Sequence, residues 1–89
     1  MGLVLEVVEP GAAVATVPVD KDTLLIGRSG RCDIRLKDPS VSRIHACIAL
    51  HGDSYVISDL RSANGVYVGE VKIEEQALAA GDCVHLGDV

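Results

Sequence analysis

Three clusters of polar and turn-forming residues between positions 26 and 65 carry the side chains that could do chemistry. In chain order they are Gly27-Arg28, Ser42-Arg43-Ile44-His45 and Asn64-Gly65. Guanidinium, hydroxyl and amide groups are the donors that suit a phosphate monoester, which carries about −1.5 to −2 charges and three acceptor oxygens near neutral pH. The clusters therefore predict a site that receives an anion.

The positive charge of the chain is concentrated in the same region. The 89 residues have a formal net charge of −5, yet residues 28–63 hold six of the eight Lys and Arg against four Asp, a local sum of +2. Such a protein can bind one anionic group locally while its overall field disfavours a polyanion. Only Tyr55 and Tyr67 are aromatic, so base stacking is also disfavoured. We expect no nucleic-acid partner.

Two other chemistries could use some of these residues. Ser42 and His45 could act as nucleophile and base, but the sequence has no Gly-x-Ser-x-Gly turn and no evident acid to orient the histidine. Zinc could be held by His45 with Cys47 and by Cys83 with His85, although structural zinc sites more often use Cys-x-x-Cys pairs. Anion binding needs fewer assumptions, so we expect a non-enzymatic protein with no catalytic residue, metal or cofactor.

Length and composition bound the class of protein. Eighty-nine residues make one domain, taken here as residues 1–89, and 48% of them are hydrophobic although Phe and Trp are absent. A core of Val, Ile, Leu and Ala favours strands. No apolar run approaches the roughly 20 residues that cross a bilayer, and an odd number of cysteines favours reduced thiols. We expect a cytoplasmic protein with no membrane partner.

Short strands must position the three clusters. Alternating or β-branched runs bounded by turn signals predict many strands and no sustained helix, which indicates an antiparallel sandwich or barrel. Residues 74–80 are expected to form either one helical turn or a loop that carries Leu78 into the core. The predicted strands are residues 3–8, 13–19, 23–26, 32–36, 44–50, 55–58, 66–68, 71–73 and 83–86.

The ordered set Gly-Arg, Ser-x-x-His and Asn-Gly resembles the forkhead-associated (FHA) domain. Supporting dipeptides are Asp33-Ile34, Asp59-Leu60 and Gly81-Asp82, and the resemblance covers about residues 3–89. It implies an all-β, FHA/SMAD-like β-sandwich of two twisted antiparallel sheets with about 11 short strands. The last of these strands would be very short or truncated in this sequence.

The resemblance also implies a module that binds phosphothreonine in an extended peptide for kinase-dependent signalling. Arg28 would contact the phosphate or the peptide backbone, Ser42 would donate its hydroxyl to the phosphate, and Arg43 would add a second cation. Asn64 would bond the peptide main chain beside the phosphothreonine. The implied partner is a phosphothreonine-containing protein, such as a Ser/Thr kinase or its substrate, and the module is expected to be a monomer.

The remaining implied roles are support and selectivity. Gly27 and Gly65 would permit the backbone shape of the loops, and His45 would brace the site from behind. Arg61 and Ser62 would face peptide residues just after the phosphothreonine, so that an acidic residue there is favoured.

One position departs from the pattern of the family. Ala63 replaces the Ser or Thr usual before the Asn, which removes one phosphate contact unless Ser62 or a backbone N–H substitutes. This departure, the missing last strand and the acidic flanks together motivate an alternative, a phosphate-independent interaction or self-association module built on the same fold.

Overall fold

The residues that the structure describes contain ten short strands. The computed structural model describes residues 3–7, 15–19, 21–79 and 81–86, and these contain no helix, hence none long and apolar enough to cross a bilayer. The strands are β1 (Leu3–Val7), β2 (Ala15–Val19), β3 (Thr23–Gly27), β4 (Ile34–Arg35), β5 (Ala46–His51), β6 (Ser54–Asp59), β7 (Val66–Val68), β8 (Val71–Ile73), β9 (Glu75–Ala77) and β10 (Val84–Leu86).

The strands form two main sheets and a hairpin. A five-stranded sheet has the order β4-β3-β5-β6-β9, a three-stranded sheet has the order β10-β7-β8, and β1 pairs with β2. Every pair is antiparallel among the described residues except β3–β4, which is parallel over Ile26 opposite Ile34 and Gly27 opposite Arg35. The prediction of an all-β sandwich is confirmed, with this one parallel pair as an addition.

The core lies between the two main sheets and is aliphatic, as the composition predicted. Alternation along each strand sends every second side chain inward. The five-stranded sheet contributes Ile26, Ile48 and Ile57, and the three-stranded sheet contributes Val66, Ile73 and Leu86. Val19 from the hairpin is buried in the same cluster, so all three units share one core.

Two predicted elements differ from the structure. Residues 74–80 were expected to form a helical turn or a loop, but they contain β9, because residues 75–77 pair with β6 over Val56–Ser58. Leu78 does pack against the core. The strand predicted at residues 32–36 shrinks to Ile34–Arg35, since only these two residues pair with β3. The further strand expected after Leu86 lies outside the described residues.

Strand register brings three loops to the same end of the molecule. Ile26 near the end of β3 pairs with Ala46 at the start of β5, and Ala46 also pairs with Asp59 at the end of β6. The chain therefore leaves these strands at one end as the first loop (residues 28–33), the second loop (residues 36–45) and the third loop (residues 60–65). Each of the three predicted clusters lies in, or at the border of, one of these loops.

Candidate binding site

Backbone hydrogen bonds join the first loop to the second. The Arg28 and Ser29 amides donate to the carbonyls of Ser42 and Arg43, each at 3.0 Å, and the His45 amide donates to the Ile26 carbonyl at 2.9 Å. These bonds continue the pairing of β3 and β5 beyond the ends of the strands. These bonds hold the two loops together. The side chains of Arg28, Ser42 and Arg43 therefore project from neighbouring, hydrogen-bonded stretches of backbone.

Gly27 is required by this close approach of the two loops. A Cβ atom at this position would lie 2.3 Å from the Arg43 carbonyl oxygen and 3.1 Å from Cys32 Sγ. The nearer contact is with backbone, which cannot rotate away as the end of a side chain can. The glycine is therefore needed for its lack of a side chain, and its φ is not in the left-handed region.

His45 joins the second loop to the third from the interior. Its side chain is 0% exposed, its Nδ1 accepts a hydrogen bond from the Ser42 amide at 3.0 Å, and its Nε2 lies 2.7 Å from the Gly65 carbonyl oxygen. Because Nδ1 accepts, the ring proton is on Nε2, which donates to Gly65. Both ring nitrogens are therefore occupied by backbone groups, and His45 is not placed as a base for the Ser42 hydroxyl.

The hydroxyl of Ser42 is fixed by the third loop instead. Ser42 Oγ accepts a hydrogen bond from the Ala63 amide at 2.9 Å. A hydroxyl has one proton to donate and two lone pairs to accept with. The Ala63 bond occupies a lone pair, so the Ser42 hydroxyl keeps a proton that it can donate.

Asn64 crosses between the same two loops. Its Nδ2 donates to the Ser40 carbonyl at 2.7 Å, and the residue is exposed. A side-chain amide has a second N–H and an oxygen that accepts. These two groups match the C=O and N–H of an extended main chain, which is what a residue that sets peptide register needs.

Local hydrogen bonds and two left-handed residues shape the third loop. Asp59 Oδ1 accepts from the Ser62 amide at 3.0 Å, and Ser62 Oγ accepts from the Gly65 amide at 2.9 Å. Arg61 has φ of 57° and Gly65 has φ of 83°. Left-handed φ is unfavourable for a residue such as Arg, so the surrounding bonds must hold Arg61 in place.

The exposed arginines in and beside the three loops have no carboxylate partner among the residues that the structure describes. Arg28, Arg31, Arg35, Arg43 and Arg61 are all exposed, and within the described part of the chain the recorded ion pair joins Lys21 Nζ to Asp33 Oδ1 at 2.6 Å. Arg28 is nevertheless held in place, since its Nε donates to the Val41 carbonyl at 2.9 Å. Among the described residues, no carboxylate neutralises the positive charge of the site, and at least one of its guanidinium groups, that of Arg28, is held by a backbone hydrogen bond.

Sequence reasoning did not assign several residues that hold the loops. Asp38 accepts from the Ser40 amide and hydroxyl at 2.9 and 2.6 Å, and these bonds, the hydroxyl first, lower the pKa of Asp38. Val41 is 1% exposed and anchors the second loop in the core. The spacings Asp-x-Ser at 38–40 and Asp-x-x-Ser at 59–62 are signals of such turns and could have identified both carboxylates.

The cysteines and histidines do not form a metal site in the part of the chain that the structure describes. No group of three or more His, Cys, Asp or Glu residues comes close enough there to hold an ion. Cys32, Cys47 and Cys83 are free thiols, and Cys32 Sγ lies 3.5 Å from the Arg43 carbonyl oxygen. Burial is the main factor that raises the pKa of Cys32.

Comparison with known proteins identifies the family. A model of the FHA domain matches residues 24–87, which is more than half of the chain. The chain therefore belongs to the forkhead-associated family, and the resemblance drawn from its motifs is confirmed.

Individual relatives support the same assignment. The glycogen accumulation regulator GarA of Mycolicibacterium smegmatis is 39% identical over 69 residues, which cover 78% of this chain and 44% of GarA. The structure of Mycobacterium tuberculosis EmbR in complex with a low affinity phosphopeptide is 35% identical with a TM-score of 0.85, over 98% of this chain and 22% of the EmbR chain. The chain spans less than half the length of GarA and about a fifth of EmbR.

A third similarity extends over most of both chains. A structure from an analysis of phosphothreonine-dependent FHA domain interactions is 30% identical with a TM-score of 0.81. The match covers 97% of this chain and 84% of that structure's chain. The likeness thus extends over nearly the whole of both chains.

Proposed function

We propose that this chain binds phosphothreonine in an extended peptide, with the phosphate at the meeting point of the three loops. The observation that carries the proposal is the Ser42 hydroxyl, whose oxygen is held by the Ala63 amide at 2.9 Å and whose proton is left to donate. A neutral acceptor would gain little from Arg28 and Arg43, whereas a phosphate dianion gains from both. Membership of the FHA family and the phosphopeptide bound to EmbR support the same ligand.

Arg28 and Arg43 supply the positive charge in this proposal. The Nε of Arg28 is bonded to the Val41 carbonyl, so the four N–H donors on its two terminal nitrogens remain for the phosphate. The main chain of Arg43 is fixed through its carbonyl, which accepts from the Ser29 amide, while its side chain is exposed. One cation is therefore pre-oriented and the other is free to adapt to the ligand.

Asn64 sets the register of the peptide. Its remaining N–H and its Oδ1 would bond the main chain beside the phosphothreonine, since one N–H is already used on Ser40. The Gly65 backbone and His45 keep Asn64 in place, because His45 Nε2 is bonded to the Gly65 carbonyl. Arg61 and Ser62 are proposed to contact the residues that follow the phosphothreonine.

The partner is proposed to be a phosphorylated Ser/Thr kinase or a substrate of such a kinase, and the module is proposed to act as a monomer in the cytoplasm. The free thiols of Cys32, Cys47 and Cys83 support a reducing compartment. A non-enzymatic role is supported by His45, whose ring nitrogens are occupied by backbone groups.

Calorimetric titration with a phosphothreonine peptide and its unphosphorylated twin tests the proposal. We expect saturable binding of the phosphorylated peptide alone, weakened at least tenfold by Arg28→Ala. Arg31→Ala is the matched control, since Arg31 is an exposed arginine of the same loop with no side-chain contact recorded among the described residues. Equal affinity for the two peptides would overturn phosphate recognition and favour the phosphate-independent alternative.

A further inference from the structure

Arg35 in β4 is exposed, and its side chain is hydrogen-bonded to the first loop. Ile34 and Leu36 on either side are buried, so alternation along β4 turns Arg35 outward. The parallel pairing of β4 with β3 places Arg35 opposite Gly27, and Arg35 Nε donates to the Arg28 carbonyl at 3.1 Å. The backbone of Arg28 thus contacts Ser42 through its N–H and Arg35 through its C=O.

Arg28 and Arg35 are anchored by the same kind of bond. In each, Nε donates to a backbone carbonyl, that of Val41 for Arg28 and that of Arg28 for Arg35. The terminal nitrogens of both have no acceptor recorded among the described residues. A guanidinium held by Nε loses little further freedom when it binds, and its remaining N–H donors form a fork that matches a carboxylate or a phosphate.

The nearby carboxylates do not neutralise these arginines. Asp33 accepts from the Leu25 amide at 2.9 Å and from Lys21 at 2.6 Å, and these two contacts, the amide first, lower its pKa. Asp38 is bonded to Ser40. Residues 28–43 hold five Lys and Arg against these two acids, so the segment has more positive charge than one phosphate dianion requires.

We propose that Arg35, beside Arg28, forms a second anion subsite that takes an acidic group of the same peptide, either a carboxylate or a second phosphate ester. The subsite rests on the proposed function, since the phosphothreonine holds the peptide across Ser42. An extended peptide rises about 3.3 Å per residue. An acidic side chain a few residues from the phosphothreonine would therefore reach Arg35, which lies beside Arg28. Arg35 is then a specificity-determining residue for doubly anionic peptides.

A positional scan of the peptide tests this subsite. The reference is a phosphothreonine peptide with Ala at the four positions on each side, and each variant carries one Glu or one phosphoserine at one of them. We expect one position, or two adjacent ones, where Glu raises affinity about two- to fivefold and phosphoserine raises it about tenfold. A gain with Glu and phosphoserine assigns general anion recognition, whereas a gain with phosphoserine alone assigns a second phosphate.

Two variants that each remove one positive charge distinguish a local subsite at Arg35 from a general electrostatic attraction by the whole surface. Arg35→Gln should remove the gain while changing the affinity for the reference peptide less than about twofold, and Arg31→Gln should preserve the gain although it removes the same charge from the same surface. Equal loss in both variants, or loss only in Arg61→Asn, would overturn the subsite. No gain at any position would overturn it as well, provided that the reference peptide binds. If the reference peptide binds no better than its unphosphorylated twin, the proposed function itself fails, and the subsite fails with it.

Discussion

The Oγ of Ser42 accepts a hydrogen bond from the backbone amide of Ala63, 21 residues further along the chain, at 2.9 Å. Ala63 lacks the hydroxyl that usually precedes the Asn of this motif, but its N–H orients the hydroxyl of the second loop. Any residue except proline could supply this contact. The departure at position 63 therefore leaves the donor geometry of Ser42 intact.

Removal of the Ser42 hydroxyl should weaken phosphopeptide binding more than it weakens the fold. A hydrogen bond to a charged group is worth about 1.5–3 kcal/mol, so Ser42→Ala should lower affinity roughly tenfold or more. The Ala63 residue is exposed, so water can replace the lost acceptor of its amide and the free energy of unfolding should change little. Calorimetry and chemical denaturation measure the two effects.

Ser54→Ala is the control for this variant, because Ser54 begins β6 beside His51, at the other end of the sheet from the loops. Its affinity should equal that of the unaltered protein. A Ser42→Ala protein that binds as tightly as Ser54→Ala would remove the hydroxyl from the site.

Arg28 should not tolerate replacement by lysine. Lys retains the charge, but it lacks the Nε that bonds the Val41 carbonyl and the fork that matches a phosphate. We expect Arg28→Lys to lose most of the affinity that Arg28→Ala loses, as measured by titration at two salt concentrations. Near-normal affinity for Arg28→Lys would mean that charge alone suffices and that the anchored geometry is unimportant.

Gly27→Ala should damage both the fold and the site. The added Cβ would lie 2.3 Å from the Arg43 carbonyl oxygen, so the second loop must move, at a cost of about 1–3 kcal/mol. Binding should fall because Ser42 and Arg43 move with the loop. Gly30→Ala is the matched control within the first loop, since its Cβ meets no atom within 4 Å. Comparable stability of the two variants in denaturant would contradict the close-approach argument.

The sequence predicted most strands because apolar, often β-branched, residues alternate with polar ones along them, and this alternation is typical of a sheet with one buried face. It failed at β9, where Glu75, Gln76 and Ala77 have weak strand preference and pair only because β6 offers an open edge. It also could not predict that β4 runs parallel to β3. That arrangement depends on how the first loop folds back, in part through the Cys32 amide bonded to the Ser29 carbonyl at 3.1 Å.

The sequence predicted a candidate site in terms of residue types and not in terms of contacts. Motif spacing pointed to Arg28, Ser42 and Asn64 as ligand contacts, since each belongs to a recognisable dipeptide or tetrapeptide, and these ligand contacts stay a prediction. The Ala63 amide and the Val41 carbonyl were missed because backbone groups are the same in every residue. Only the fold determines which of them approaches a side chain.

Affinity for the peptide should fall as the pH drops below about 6, where a phosphate monoester loses its second negative charge. Asp33 and Asp38 have lowered pKa values, so both stay ionised over this range and do not cause the change. Their contribution to stability is present above their unfolded value of 3.8 and is lost only as the pH falls below it.

Titration of the peptide at pH 5 to 8, with the melting temperature of the unliganded protein measured alongside, checks this prediction. We expect weaker binding at pH 5 without a matching loss of stability from the two aspartates. Constant affinity across the range would show that the site does not favour the dianion.

Arg61 offers a way to separate backbone shape from charge at the third loop. Its φ of 57° is tolerated by Asn much better than by most residues, so Arg61→Asn keeps the left-handed turn and removes the guanidinium. If Arg61 contacts residues after the phosphothreonine, this variant should lose any preference for Asp over Ala at those peptide positions. Its affinity for the phosphothreonine peptide with Ala at all flanking positions should stay within about twofold. Arg61→Ala should show the same loss of preference but be less stable than Arg61→Asn by about 1 kcal/mol, because Ala, like Arg, is strained at this φ whereas Asn tolerates it. Peptide titrations and denaturation of both variants measure the two effects, and an undiminished preference for Asp in Arg61→Asn would show that the side chain is a solvated surface charge.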